Sequence, residues 1–357
     1  MTRILLVVEL KGGNDGLNTL IPYADPLYQQ LRPGIAVPRE RTLPLDENVG
    51  LHEKLTPLME SWKGGELAIL QGVGYANPNR SHFRSIEIWD TASAASETLS
   101  EGWVARAFDG KRLPQGLGVD SIVVDTNSLP MMGPELRTIV MQDAESFLRQ
   151  ASAMKGAAGL YDGGNPALRH VLAVRQEVNA AAVGLSERLR VAQPPVEEYG
   201  GTPFGRQLDL ATRIITAGVP VVAVKVALGS FDTHANQAPS HETLLATLAS
   251  GLATLRRNMI AAGRWDDVVL MTYSEFGRRV RQNASAGTDH GTAGPQFVMG
   301  GKVKGGLYGV QPSLGDLQDG DLRHTVDFRD VYSAIARGCW GRRATFGQRS
   351  VQPLGFI

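Results

Sequence analysis

The chain alternates between short apolar runs and longer stretches in which apolar residues recur every three or four positions. The short runs are typical of buried parallel strands, and six stand out: Ile4–Val8, Leu67–Val73, Ser121–Val124, Val219–Leu228, Val268–Tyr273 and Gln296–Met299. The longer stretches are typical of amphipathic helices and lie at Leu55–Lys63, Arg84–Ala94, Pro166–Val191, Gly205–Ala217, His241–Ala262 and Phe328–Trp340. This alternation predicts an α/β fold with a largely parallel central sheet and helices on both faces.

Two stretches without a clear pattern flank the longest predicted helix. They are Ala151–Gly164 and Gln193–Gly201, the second of which contains two prolines and two glycines. Large α/β enzymes often keep one continuous sheet and accommodate such segments as insertions. We therefore expect a single domain over residues 1–357 with a helical insertion at about 151–201.

Composition narrows the classes of function. The 36 basic and 36 acidic residues cancel, so the chain lacks the positive field that nucleic acids or anionic membranes require. Met1–Leu10 is apolar but too short for a membrane span, and it lacks the basic head and cleavage site of a signal peptide. We expect no nucleic-acid partner and no membrane span. The expected location is the cytoplasm, or the periplasm if an export signal preceded this sequence, and no pattern indicates an oligomeric state.

Polar side chains cluster next to the predicted strands. Open α/β sheets bind ligands at the carboxyl ends of their strands. Four strands are followed there by residue types that bind metals or anions, and a similar group precedes the sixth: Asn14-Asp15, Arg80-Ser81-His82, Asp232-Thr233-His234, Ser274–Arg279 and Thr288–Gly291. Their concentration predicts a metal site at this edge of the sheet.

Asp232, His234 and His290 are the strongest candidate ligands. Asp232 and His234 are one residue apart, so on an extended loop both side chains point the same way, although a capping Asp and a surface His remain an alternative. His290 lies among small residues that let backbone approach a ligand closely. Its neighbour Asp289 is a ligand, an acceptor that fixes the imidazole tautomer, or a turn residue. Nitrogen ligands favour zinc or manganese.

Ser81 and Glu275 are open to two interpretations each. Ser81 falls where an extended Asn-Pro-Asn segment turns into a helix, so its hydroxyl is either an activated nucleophile beside a metal ion or a plain N-cap. Glu275 follows a central strand, where a carboxylate is costly unless it is paired or metal-bound. A metal ion and a salt bridge to Arg278 or Arg279 explain it equally well.

Five ordered motifs resemble, over nearly the whole chain, a bacterial family catalogued as domain of unknown function number 1501. They are Leu10–Asn18, Arg80–Phe83, Phe231–His234, Ser274–Arg279 and Thr288–Pro295. That family is similar in turn to the alkaline phosphatase, sulfatase and cofactor-independent phosphoglycerate mutase superfamily, whose members hold two metal ions around a Ser, Thr or modified Cys nucleophile. The resemblance implies that Asp15 is a metal ligand, that Ser81 is the nucleophile, and that Asp232, His234 and His290 bind one ion.

The chain departs from this superfamily after the fifth strand. Superfamily members usually carry Asp-His-Gly there, whereas this chain has Glu275-Phe276-Gly277, and a phenylalanine cannot bind a metal. One metal site is therefore expected to be complete, with Glu275 as a candidate ligand of the second. The second is weakened unless Asp289 or His82 supplies the missing ligand.

These residues predict a metal-dependent hydrolase or transferase that acts on a small-molecule phosphate or sulfate ester through Ser81. The candidates to hold the anionic ester are Arg80, His82, Arg278 and Arg279, since guanidinium groups match such oxygens. Phe276 motivates the alternative, a catalytically degenerate member that acts as a binding or accessory protein. A third interpretation is a metal-dependent enzyme of another class, such as an isomerase of sugar phosphates.

Overall fold

The sequence folds into alternating strands and helices in a computed structural model, which describes residues 3–110, 113, 118–143, 146–147, 149, 166–347 and 352–357. In chain order, strands β1 to β14 are Ile4–Leu10, Leu20–Ile21, Thr42–Pro44, Gly50–His52, Leu67–Gly74, Ser121–Val123, Thr138–Val140, Ala223–Leu228, Val268–Tyr273, Gly294–Met299, Gly306–Tyr308, Leu317–Gln318, Asp321–Leu322 and Val326–Asp327. Helices α1 to α9 are Gly16–Thr19, Pro26–Leu31, Met59–Lys63, His82–Thr91, Trp103–Arg106, Pro166–Val191, Pro203–Thr216, Gln237–Ala261 and Phe328–Trp340. Short 3₁₀ helices lie at Arg39–Arg41, Glu53–Leu58, Leu129–Met131 and Trp265–Asp267.

Nine of the described strands form one sheet, in the order β11-β5-β10-β9-β1-β8-β6-β7 with β14 beside β5. Strand β1 lies between β8 and β9 and runs parallel to both. Strand β10 runs antiparallel to both of its neighbours. The predicted α/β fold with a largely parallel sheet is confirmed, and β10 is the strand that reverses. Residues that precede β10, rather than those that follow it, therefore reach the edge where the parallel strands end.

Side chains of β1 alternate between two hydrophobic cores. Leu6 and Val8 belong to a core that includes residues of α7 and α8. Leu5 and Val7 belong to a second core with residues of α4, α5 and α9. Every residue of β1 is buried, which explains the unbroken apolar run, because a strand covered on both faces needs no polar side. Helices on both faces are thus confirmed.

The long helix α6 has the bounds that its pattern predicts, Pro166–Val191. Leu185 and Leu189 near its end belong to the same core as α7 and α8. Residues 151–165 lie outside the described residues, so the insertion at about 151–201 and the single domain over 1–357 stay predictions. Within the described part of the chain, no helix combines the length and apolarity needed to cross a bilayer.

Candidate metal centre

Asp232, in the loop after β8, is the point on which three histidines converge. Its Oδ1 lies 2.9 Å from Nε2 of His234 and 3.1 Å from Nε2 of His290. Its Oδ2 lies 3.4 Å from Nε2 of His82. The three imidazoles, from the loops after β8 and before β10 and from the first turn of α4, therefore turn the same ring nitrogen towards one carboxylate.

The ligand atoms of His82, Asp232 and His290 are spaced closely enough for one divalent ion, and Nε2 of His234 lies beside two of them. Nε2 of His234 lies 3.0 Å from Nε2 of His290, and the ligand atoms of His82, Asp232 and His290 all lie within 4.8 Å of one another. Two nitrogens bound to one tetrahedral zinc ion are about 3.3 Å apart, given zinc–nitrogen bonds of about 2.0–2.1 Å. Three imidazoles and a carboxylate are also a donor set that zinc and manganese accept.

Each imidazole of the centre has an oxygen acceptor on its other ring nitrogen. The pairs, with their Nδ1···O distances, are His82 with Oε1 of Glu275 (3.0 Å), His234 with Oδ1 of Asp289 (3.3 Å) and His290 with the carbonyl of Arg80 (2.8 Å). An acceptor at Nδ1 favours the tautomer protonated there, which leaves the lone pair of Nε2 free. With an ion at Nε2, these acceptors would hold each ring in the tautomer that is protonated at Nδ1.

Glu275 joins the loops after β1 and β9 to this arrangement. Its side chain is buried, and Oε1 accepts the backbone N–H of Gly12 at 2.8 Å as well as facing His82. Gly12 has φ +108°, and a Cβ there would lie 2.5 Å from the backbone nitrogen of Asp232. Only glycine lets the loop pass so close to Asp232.

The ring of Phe276 packs against two imidazoles of the centre. Its ring centroid lies 4.4 Å from that of His290, nearly parallel, and 5.0 Å from that of His82. The side chain is buried, so it supports two imidazoles on an apolar surface. Phe276 thus packs against two imidazoles of the cluster, although its own side chain cannot bind a metal.

Asp15 is not brought into the histidine cluster. Its Oδ2 lies 2.6 Å from Nη1 of Arg32, both side chains are almost fully buried, and Gln237 donates to the same oxygen. Burial acts to raise the pKa of Asp15, but Arg32, His241 and Gln237 together outweigh it and the net shift is downward. The Arg32 guanidinium therefore balances the negative charge of Asp15.

Ser81 lies on the exposed rim of the centre as the N-cap of α4. Its side chain caps no backbone group. The residues on either side contact the histidine cluster, since the carbonyl of Arg80 meets His290 and His82 faces Asp232. Ser81 thus lies between two residues that contact the centre, and its hydroxyl is not used in capping.

The predicted anion-binding arginines have different surroundings. Arg278 is buried, and its guanidinium donates to Oδ1 of Asp232 at 2.7 Å and to carbonyls including those of Gly13 and Thr288. Burial acts to raise the pKa of Asp232, but Arg278 and His290 lower it to about 2, which keeps the carboxylate ionised. Arg80 and Arg279 are partly exposed instead.

Sequence reasoning missed two residues that shape the site. Arg32 ends up against Asp15, and Asp321 lies between Arg80 and Arg279. Neither follows an apolar run, so neither had a recognisable signal. His82, by contrast, is a sequence candidate both for anion binding and for the missing ligand, and in the structure its Nε2 faces Asp232.

Comparisons with known proteins identify one family. A model described as a protein of unknown function (DUF1501) matches residues 69–337. No curated protein matches the chain.

Similar solved structures include the lipoteichoic acid synthase LtaP from Listeria monocytogenes, with 10% identity over 97% of this chain and 74% of that one and a TM-score of 0.41. The C-terminal periplasmic domain of EcEptC from Escherichia coli has 12% identity over 99% and 86%, with a TM-score of 0.40. A protein in the alkaline phosphatase superfamily from Vibrio parahaemolyticus has 9% identity over 99% and 68%, with a TM-score of 0.39.

Proposed function

Because the chain belongs to the DUF1501 family, whose function is unknown, we propose an activity from its site: a metal-dependent hydrolase or transferase that acts on a small-molecule phosphate or sulfate ester. The observation that carries this proposal is the convergence of three imidazole Nε2 atoms on the Asp232 carboxylate. His82, Asp232, His234 and His290 would hold one divalent ion, zinc or manganese. A bound ion polarises an ester oxygen and lowers the pKa of a nearby hydroxyl or water.

Glu275 and Asp289, both candidate ligands by sequence, are proposed to act through the histidines. Their oxygens face Nδ1 of His82 and His234, which fixes ring orientation and tautomer. Asp15 is proposed to stay with Arg32. This assignment gives one ion per chain.

Ser81 is the proposed nucleophile. Its Oγ would form a bond to the phosphorus or sulfur atom while the bond to the ester's leaving oxygen breaks. Water, or an acceptor alcohol in a transferase, would then displace Ser81 and take the phosphoryl or sulfuryl group.

The alternative proposal, a degenerate binding or accessory protein, was motivated by Phe276. The position of its ring against His82 and His290 favours a supported metal centre over a damaged one. Whether the metal-loaded protein turns over an ester therefore decides between the enzyme and the accessory protein.

The test compares wild type with Ser81→Ala and with Ser313→Ala, an exposed serine outside the centre. Each protein, loaded with zinc or manganese, is assayed on aryl phosphate monoesters, phosphate diesters and sulfate esters. We expect Ser81→Ala to keep its metal and lose turnover by at least about a thousandfold, with Ser313→Ala unchanged. Full turnover in Ser81→Ala would remove Ser81 from the mechanism, and no turnover in metal-loaded wild type would support the accessory protein.

A further inference from the structure

Two arginines at the rim of the metal centre share one buried carboxylate. Nη1 of Arg80 lies 2.9 Å from Oδ2 of Asp321, and Nε of Arg279 lies 3.5 Å from Oδ1 of the same residue. The Asp321 side chain is only 3% exposed, whereas those of Arg80 and Arg279 are 38% and 32% exposed. The carboxylate is thus inside the protein and both guanidinium groups face outwards.

Asp321 is fixed by the small hairpin formed by β12 and β13. It pairs with Gln318 across the hairpin, and the next residue, Leu322, is buried. The carbonyl of Leu322 accepts the hydroxyl of Thr292 at 2.6 Å. The hairpin is therefore attached to the loop that carries His290.

Both arginines are also attached to the metal centre through their backbones. The carbonyl of Arg80 faces Nδ1 of His290 at 2.8 Å. The N–H of Arg279 donates to the carbonyl of Asp289 at 2.9 Å, and Asp289 faces His234. The backbones of both arginines are thus attached to residues that contact the histidine cluster.

These guanidinium groups have more donors than their protein contacts use. A guanidinium carries five N–H donors, yet among the described residues Arg80 donates to a side chain only through Nη1, and Arg279 donates through Nη1 to the carbonyl of Asp319. Two positive charges meet one negative charge at Asp321. An exposed ion pair alone contributes little stability, while spare guanidinium donors suit a phosphate, sulfate or carboxylate.

We infer that Arg80 and Arg279, held by Asp321, form a second anion subsite beside the metal centre. It binds an anionic group of the substrate other than the group that Ser81 attacks, so this inference rests on the proposed function. The substrate class is an ester that carries a second phosphate, sulfate or carboxylate. Asp321 is a positioning residue, and the arginines contact the ligand.

The test uses pairs of non-hydrolysable phosphonates and measures binding to the metal-loaded protein by calorimetry. Each pair consists of an alkylphosphonate and the ω-carboxyalkylphosphonate of matched length, with linkers of two to five carbons. The phosphonate occupies the metal centre, and the carboxylate probes the subsite. We expect wild type to bind the carboxylate member at least about tenfold tighter at its best length, as one oriented charge-assisted contact can provide.

Arg80→Gln and Arg279→Gln are expected to reduce that preference to below about threefold and to leave alkylphosphonate binding unchanged. Arg323→Gln is the matched control, because Arg323 is an exposed arginine near the same hairpin whose partner is Asp316. It should keep the full preference. Asp321→Asn should lose the preference although it makes the rim more positive, which separates positioning from simple charge.

Three outcomes would overturn the inference. Equal affinity within every pair would reject the subsite while the alkylphosphonate still supports the metal centre. Tighter carboxylate binding by Asp321→Asn would reject the positioning role. Failure of metal-loaded wild type to bind any phosphonate would reject both the subsite and the proposed function.

Discussion

Nδ1 of His82 lies 3.0 Å from Oε1 of Glu275, although the two residues are 193 positions apart in the chain. The same oxygen accepts the N–H of Gly12. One buried carboxylate therefore joins the loops after β1, β5 and β9, and it orients the ring of His82 towards Asp232.

This contact predicts that Glu275 controls metal affinity without binding the metal. Glu275→Ala removes the acceptor of His82, so we expect zinc affinity to fall by about 10- to 100-fold, with partial recovery in Glu275→Gln. Competition with a chromogenic chelator measures the change. Glu242→Ala, which removes a partner of Arg41 away from the centre, should match wild type. Equal affinity in Glu275→Ala and Glu242→Ala would assign Glu275 a purely structural role.

The histidine cluster predicts metal content directly. Wild type purified without chelator should hold about one equivalent of zinc or manganese per chain, as expected of a single four-ligand site. His234→Ala and His290→Ala should each lose most of it, because a missing ligand opens the coordination shell. Elemental analysis after dialysis measures the metal content of each variant. His324→Ala is the control, because His324 is a half-buried histidine outside the cluster. Two equivalents in wild type would contradict the pairing of Asp15 with Arg32.

Replacing Gly12 with alanine is expected to destabilise the folded protein strongly. Gly12 has φ +108°, and a Cβ there would lie 2.5 Å from Asp232, so the backbone must move in Gly12→Ala. We expect the free energy of unfolding to fall by more than about 2 kcal/mol. Gly110→Ala is the control, since Gly110 has φ +65° with open space around it and should cost about 1 kcal/mol. Urea denaturation compares them. Equal costs would show that the loop relaxes freely.

A buried carboxyl group between α4 and β9 sets a pH dependence. Asp90 of α4 accepts the hydroxyl of Tyr273 at 2.8 Å and the amide of Asn127 at 2.7 Å. Nearby, Lys225 contacts Glu9 at 2.5 Å and Asp125 at 2.8 Å. Burial and the charge of Glu9 raise the pKa of Asp90 to about 7, against opposing effects of Lys225 and the two hydrogen bonds.

An acid whose pKa rises on folding binds its proton more tightly in the native state. Its contribution to stability is full below the unfolded pKa, near 4, and is lost as pH rises through about 7. The difference in unfolding free energy between wild type and Asp90→Asn should therefore fall from pH 5 to pH 8. Urea titrations at four pH values test this, with the exposed Asp316→Asn as control. A constant difference would mean that Asp90 does not titrate in this range.

Much of the sheet could be predicted from the sequence because its central strands are buried on both faces. The apolar run Val268–Tyr273 is a strand with those bounds, and Phe328–Trp340 is a helix with those bounds. The direction of β10 could not be predicted, since a short apolar run does not show which way its strand runs in the sheet. Two-residue strands such as Asp321–Leu322 are too short to produce a pattern at all.

The candidate site could be predicted only as a set of residue types. The sequence brought Asp232, His234 and His290 together as candidates, and the structure places all three in one cluster. Which carboxylates face an imidazole and which face a guanidinium depends on contacts between distant loops. Asp15 is an example, because its partner is Arg32, which lies at the end of a separate helix.

The candidate ligands come from separate parts of the chain, and this has a consequence for folding. His290 and Asp232 are 58 residues apart, and His82 lies still farther from either. An ion bound to all three would therefore act as a cross-link that closes long loops, and the entropy of closure grows with loop length. Such an ion would bind the folded chain far better than the unfolded one, so its removal by a chelator would lower the melting temperature.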